Sequence, residues 1–289
     1  MRSLLSLAIS VSRTRFWIYT GGTFVVGYAL GMESWLAFFL PAYTLFLLYF
    51  FFPANVFIYG VNDYWDEETD RTNPKKDEKE HRLGDGEERR DLRTVLLAVT
   101  GLSLALLPVM DATARLIFLA FLFLAYFYSA PPFRFKEIPF LDFSSNMLYI
   151  MPGIFGFYLA AGTLPPLVLV LAGYLHIAGM HLFSAIPDID CDRRAGITTT
   201  AVLLGRRSSL ALCLVFWTLL SLLVVILAGG CPLSYLVFLY PAIPLALLLT
   251  PRLSLEEVYW YLPGLNTALG GLTFAVFFLL KFSWPPGVT

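Results

Sequence analysis

Charge is what this chain has least of. Lys, Arg, Asp and Glu together make up 14% of its 289 residues, against about 25% in soluble globular proteins. The two signs nearly cancel, 20 basic against 21 acidic for a net charge of −1, so no basic surplus points to nucleic acid as a partner. Cysteine is equally sparse. Cys191, Cys213 and Cys231 are odd in number and scattered, which argues against a disulfide framework or a zinc site. What takes the place of charge is apolar: 58% of residues are hydrophobic and 26 are Phe. A soluble fold of this length has too little interior to hide that much apolar surface, so most of it faces lipid. The expectation is a single polytopic membrane domain over residues 1–289, all α-helical.

Charge-free runs locate the helices: Phe16–Met32, Ser34–Asn62, Thr94–Met110, Leu116–Phe133, Phe143–Pro187, Ser208–Pro251 and Val258–Leu280. A helix needs about 20 residues to cross the hydrocarbon, and two of these runs are 45 and 44 residues long. Each has turn chemistry in its middle, Gly162-Thr163-Leu164-Pro165-Pro166 and Gly229-Gly230-Cys231-Pro232. Dividing both predicts nine transmembrane helices. With the N-terminus inside, 18 of the 20 basic residues lie on the inner side, leaving Arg115 and Lys281 outside. The positive-inside rule therefore puts the N-terminus on the cytoplasmic side of the plasma membrane and the C-terminus outside. Inner polar loops are expected at about 63–93, 134–142 and 188–207. Leu4, Leu7, Ala8 and Val11 share one helical face, and Arg13 and Arg15 stand where a cleavage site would need small residues. Residues 1–15 are thus expected as an uncleaved helix lying at the inner interface.

Nineteen of the 21 acidic residues are also on the inner side, with Glu33 and Asp111 the exceptions. Two groups continue directly from long apolar helices: Asn62-Asp63-Tyr64-Trp65-Asp66-Glu67-Glu68-Thr69-Asp70, and Asp188-Ile189-Asp190-Cys191-Asp192. At about 100° per residue, Asp63, Asp66 and Asp70 fall within an arc of about 60° with Asn62 at its edge, and Asp188 and Asp192 are one turn apart. Asp190 points away. Five carboxylates on two facing stripes would repel strongly at a low-dielectric boundary. Mg²⁺ answers that repulsion, because it takes carboxylate oxygens together with a substrate's phosphates. Even two Mg²⁺ and a diphosphate leave about four negative charges, so basic side chains are expected to converge there. The D-x-x-x-D pattern occurs in both groups, four helices apart, which suggests two related halves whose equivalent helix ends meet. The stretch Asp77–Asp91, with mixed charges and Gly84 and Gly86, reads as a solvated loop.

These motifs resemble the UbiA-type intramembrane prenyltransferases. The match consists of N-D-x-x-D-x-x-x-D after the second helix and D-x-x-x-D after the sixth, the latter followed by Gly196-Ile197-Thr198-Thr199-Thr200-Ala201. The tract Tyr128-Ser129-Ala130-Pro131-Pro132-Phe133-Arg134-Phe135-Lys136 is similar to the family's third signature. One branch, the lycopene elongases, is resembled more closely through Ser12-Arg13-Thr14-Arg15-Phe16-Trp17, Asn73-Pro74-Lys75-Lys76, Leu141-Asp142 with Ser145-Asn146, and Gly179–Asp188. Two departures count against an aromatic acceptor: the R-P-[IL]-x-x-G segment is missing, and Ser184 stands where many ring-prenylating members carry Tyr.

The resemblance implies helices around a central cavity, with Mg²⁺ and a prenyl diphosphate, dimethylallyl diphosphate in this branch, at its inner mouth. The acceptor would be a lipophilic molecule entering from the bilayer, lycopene or a related acyclic carotenoid, and some members also hydrate the product cation. On this reading Asn62, Asp63, Asp66, Asp70, Asp188 and Asp192 hold the metals, while Lys136, Arg134 and Arg71 clamp the diphosphate. Tyr128 and Tyr149 are candidates for facing the allylic cation. His181, seven residues before Asp188 with Ser184 between them, is a candidate to take the released proton or position a water. Asn146 and Asp142, one turn apart, would support the mouth, and His176 is read as structural. Two alternatives stand beside this one: prenylation of an aromatic or quinone precursor, and a transporter, whose acids would usually lie at mid-membrane rather than at one surface.

Overall fold

A backbone crossing a bilayer must satisfy its own polar groups, and helices do so within a single segment. The computed structural model describes residues 3–66, 83–84, 86–250 and 252–283, and these are nearly all helical. Six segments are long and apolar enough to cross a membrane: 41–65, 86–109, 167–194, 200–227, 232–249 and 255–279. Shorter helices occupy three further expected crossings, Thr23–Gly31 after a π turn at Ile18–Gly22, Ala112–Phe127, and Met151–Ala161. Length alone therefore accounts for six of the nine expected crossings among the described residues.

The chain divides into two compact units. The first comprises residues 1–32, 36–136 and 148–164. It contains α1 (Leu4–Val11), α2 (Thr23–Gly31), α3 (Pro41–Phe51), α4 (Pro53–Trp65), α5 (Gly86–Leu106), α6 (Ala112–Phe127) and α8 (Met151–Ala161). The second comprises residues 33–35, 137–147 and 165–289. It contains α7 (Leu141–Ser144), α9 (Leu167–Ala185), α10 (Ile189–Arg194), α11 (Thr200–Leu227), α12 (Leu239–Leu249) and α13 (Leu255–Ser283).

In the first unit, α2 and α8 cross backbone to backbone. A Cβ on Gly27 would overlap the Gly153 carbonyl, and one on Gly156 would stand 2.5 Å from the Phe24 carbonyl oxygen. Small residues are what allow such an approach in a membrane protein. Behind this crossing Phe46, Phe50, Phe118, Phe121 and Phe155 pack largely edge to face, with Phe46 and Phe155 centroids 4.7 Å apart. Pro53 breaks the run from α3 to α4, and the buried Asn55 amide repairs the break by donating to the Phe50 and Phe51 carbonyls and to Thr20 Oγ1. On the apolar face of α1, Leu7, Ala8 and Val11 are buried against protein, with Ala8 packed on Val56 and Val95, whereas Leu4 is exposed. Asp111 caps α6 by accepting from the Ala114 amide, which holds its carboxyl below the usual carboxylate range. That cap starts α6 ahead of the expected Leu116.

In the second unit α9, α11 and α12 pack around Phe183, Leu210, Cys213 and Trp217. The Trp217 ring lies on Gly179, where a Cβ would meet its Nε1 at 2.5 Å, and that Nε1 donates to the His176 carbonyl. Left-handed glycines end α8 at Gly162 and follow α11 at Gly229 and Gly230, where the long runs were expected to divide. Two charged stretches expected within loops are partly helical. The α5 helix already begins at Gly86, with Glu87 and Glu88 at its positive end. The α11 helix begins at Thr200, so Arg206 and Arg207 are helical and follow a kink at Gly205.

Candidate active site

In the first unit the site is built on the C-terminal end of α4. This helix closes with Asp66 as its C-cap, so Asn62 and Asp66 stand one turn apart and the Asn62 amide donates to Asp66 Oδ2 at 2.5 Å. The same amide donates to Ser129 Oγ at 3.0 Å. Asp63 is fully buried and takes Arg13 Nη2 at 2.7 Å, while the same nitrogen reaches Asn62 Oδ1 at 3.3 Å. A buried carboxylate needs such a partner, since an uncompensated charge there would cost several kcal/mol.

The tract after α6 delivers the other cations. The chain turns through Pro131 and Pro132, and Arg134 adopts a left-handed φ of 44°. Alternate residues then part company. Phe133 and Phe135 stack on each other with centroids 5.5 Å apart, whereas Arg134 and Lys136 both reach Asp66, Arg134 at 3.4 Å and Lys136 in direct ion contact. The Lys136 amide is anchored on the Tyr128 carbonyl at 3.1 Å, so Tyr128 takes part through its backbone. Tyr149 donates to the Tyr59 hydroxyl at 3.0 Å, one turn membrane-ward of Asn62 and Asp63 on α4. Asp70 and Arg71, named as metal ligand and clamp, lie outside the described residues.

In the second unit the acidic stripe is less regular than a continuous helix would make it. Ile186–Asp188 is a 3₁₀ turn between α9 and α10. Three residues wound at 3.0 rather than 3.6 per turn rotate the stripe by about 60° relative to a continuous helix. Asp188 and Asp192 are half-buried, and Asp190 is exposed and paired with Arg193. Ser184 donates to the His181 carbonyl at 2.7 Å. Asn146 turns inward to its own helix and donates to the Asp142 carbonyl at 2.7 Å, a local support. Asp142 does much more. Fully buried, it accepts from the Thr200 amide and hydroxyl at 2.6 Å each and from the Phe143 amide at 2.8 Å. It therefore pins the start of α11, and with it the Gly196–Thr199 segment that leads back to Asp192.

Tyr59 was not singled out by sequence reasoning, and Arg13, Ser129 and Thr200 were quoted there within motifs but given no role at the site. The Arg13 side chain lies 49 and 50 positions from its partners, and no local spacing signals such a pairing. Among the described residues no three His, Cys, Asp or Glu side chains form a metal-holding group. The donors that are present, Asn62, Asp63 and Asp66, offer only hard oxygen. In this structure ammonium and guanidinium groups supply the positive charge those oxygens require. That chemistry fits Mg²⁺ and not a soft metal.

A family model described as the UbiA prenyltransferase family matches residues 20–256. The chain is 41% identical over 271 residues to a "Lycopene elongase/hydratase" of Haloferax volcanii, covering 93% of this chain and 87% of that protein. Among solved structures, a UbiA homolog from Aeropyrum pernix K1 superposes with a TM-score of 0.70 at 19% identity, over 91% of this chain and 98% of that one. A UbiA homolog from Archaeoglobus fulgidus bound to DMAPP and Mg²⁺ gives 0.61 at 23% identity, over 93% and 99%. With the apolar helices and the acidic helix end already described, these matches identify the chain as an integral membrane enzyme belonging to the UbiA prenyltransferase family.

Proposed function

We propose that this enzyme transfers a dimethylallyl group from its diphosphate to an acyclic carotenoid end, lycopene or a close relative, in a Mg²⁺-dependent reaction at the cytoplasmic face of the plasma membrane. The observation that carries the reading is the 41% identity, over nearly the whole chain, to a protein named for lycopene elongation. The cluster on Asp66 supports the reaction type. In that reaction the C1–O bond of the donor breaks and its electron pair leaves with the diphosphate. An alkene of the acceptor then bonds to C1, and the tertiary cation so formed loses a proton.

Each named residue has a task in that sequence. Lys136 and Arg134, already gathered at one carboxylate, receive the charge that develops on the leaving diphosphate. Arg13 balances Asp63 and holds Asn62 in place. Asn62, Asp63 and Asp66, with Asp70, Asp188 and Asp192, are the oxygen donors for Mg²⁺. When bound, the ion neutralises the diphosphate and makes it a better leaving group. Tyr128 and Tyr149 face the allylic cation, and His181 takes the proton, with Ser184 fixing the turn of helix beneath it. Arg71 joins the clamp.

The test is to incubate membranes containing the protein with Mg²⁺, labelled dimethylallyl diphosphate and either lycopene or aromatic acids. The expected product is lycopene enlarged by five carbons, or by twice that. Label appearing on an aromatic acid instead would overturn the acceptor but keep the reaction. Ion flux with all label still in diphosphate would overturn both.

A further inference from the structure

A group of aromatic rings lies about two turns along α4 from its acidic end. Seven residues before Asp66 on the same helix, Tyr59 is buried and its hydroxyl accepts from Tyr149 at 3.0 Å. Two more rings close around the pair. Phe16 lies 5.7 Å from Tyr59 and stacks on Tyr19 at 5.6 Å, and Tyr19 meets Tyr149 edge-on at 6.3 Å. One side chain shows that this aromatic group and the carboxylates share a face of α4. The Arg13 guanidinium touches Asn62 and Asp63 and also lies 4.7 Å from the centre of the Tyr59 ring.

Helix rise turns this into a length. Seven residues span about 10 Å along α4, from the carboxylate that gathers Lys136 and Arg134 down to the Tyr59 ring. At ordinary bond lengths a diphosphate occupies about 5 Å of that distance, and a five-carbon allylic tail reaches about 5 Å beyond it. A ten-carbon tail needs about twice that and would run into the rings.

We propose that the hydrogen-bonded pair Tyr59–Tyr149, backed by Phe16 and Tyr19, determines donor specificity by stopping the allylic tail one isoprene unit below the diphosphate. The proposal rests on the prenyltransferase reading above and adds to it the reason a five-carbon donor is selected.

The experiment compares dimethylallyl with geranyl diphosphate on the full-length protein in membranes, reading the ratio of their kcat/KM values. The wild type is expected to favour the shorter donor by about 100-fold, the scale on which a closed pocket rejects extra carbons. Tyr59→Leu and Tyr149→Val are each expected to raise the geranyl-to-dimethylallyl ratio at least ~10-fold, while Tyr59→Phe, which keeps the ring, changes it less than ~3-fold. Tyr149 is only half-buried, so Tyr149→Val keeps the comparison readable if Tyr59→Leu does not accumulate. A ratio unchanged in a folded variant, or a wild type that uses both donors equally, overturns the proposal. Competition between the two diphosphates for binding, measured without acceptor, separates the two ideas. Preferential binding of the short donor with no transfer to any acceptor would sink the acceptor reading and leave the donor-length proposal in place.

Discussion

Asp66 is the side chain on which most of the described chemistry converges, with Asn62, Arg134 and Lys136 all directed at it. Its position was legible in the sequence, since the i, i+4 spacing from Asn62 is a property of any helix. The pairing with Lys136, 70 positions away, was not legible from spacing: the charge argument called only for cations nearby, and the family resemblance named Lys136 as a diphosphate clamp and not as a partner of Asp66. Two consequences follow for activity. Asp66→Asn and Lys136→Gln should each lower kcat/KM for dimethylallyl diphosphate by about 100-fold or more, the usual cost of removing one group that stabilises developing charge. Initial rates in membranes check this, and full turnover by either variant at saturating Mg²⁺ would remove the residue from the site. Asp142 illustrates the opposite case. Sequence reasoning gave it a modest supporting role beside Asn146, yet it holds Thr200 through two short hydrogen bonds, because the folded chain brings residues 58 positions apart together.

At the scale of elements, breakers did most of the work. Gly162, Gly229 and Gly230 adopt positive φ, which only glycine does without strain, and they divide the two long runs where their turn chemistry pointed. Helix starts were harder to place. The α5 and α11 helices begin several residues before their apolar runs, since a charged first turn is compatible with a helix that enters the membrane later. The α2–α8 crossing left no mark in hydropathy, because close approach depends on a missing Cβ and not on polarity. Gly27→Val should therefore destabilise the fold by about 1–3 kcal/mol, read as a lower melting temperature in detergent. Gly101→Ala, at a position with open space around it, should leave the melting temperature unchanged. Equal melting of Gly27→Val and wild type would show that the crossing tolerates a side chain.

For the molecule as a whole, composition carried the class. So little charge and so much Phe left a polytopic membrane protein as the expectation, and the helical structure and the UbiA family match agree with it. If divalent ions serve the reaction as proposed, chelation with EDTA should abolish transfer, and Mg²⁺ should restore it while leaving the protein in the membrane fraction. Transfer that persists in EDTA would overturn the metal assignment. The amino-acid order by itself determined which segments are helices, which helix ends are acidic, and on which stripe of α4 the acids lie. All of these follow from local periodicity, which repeats every few residues. Only the tertiary structure decided that Arg13 serves Asp63, that Asp142 anchors Thr200, and that Tyr59 meets Tyr149. Contacts of that kind join residues tens of positions apart, and no helical period carries over such a distance.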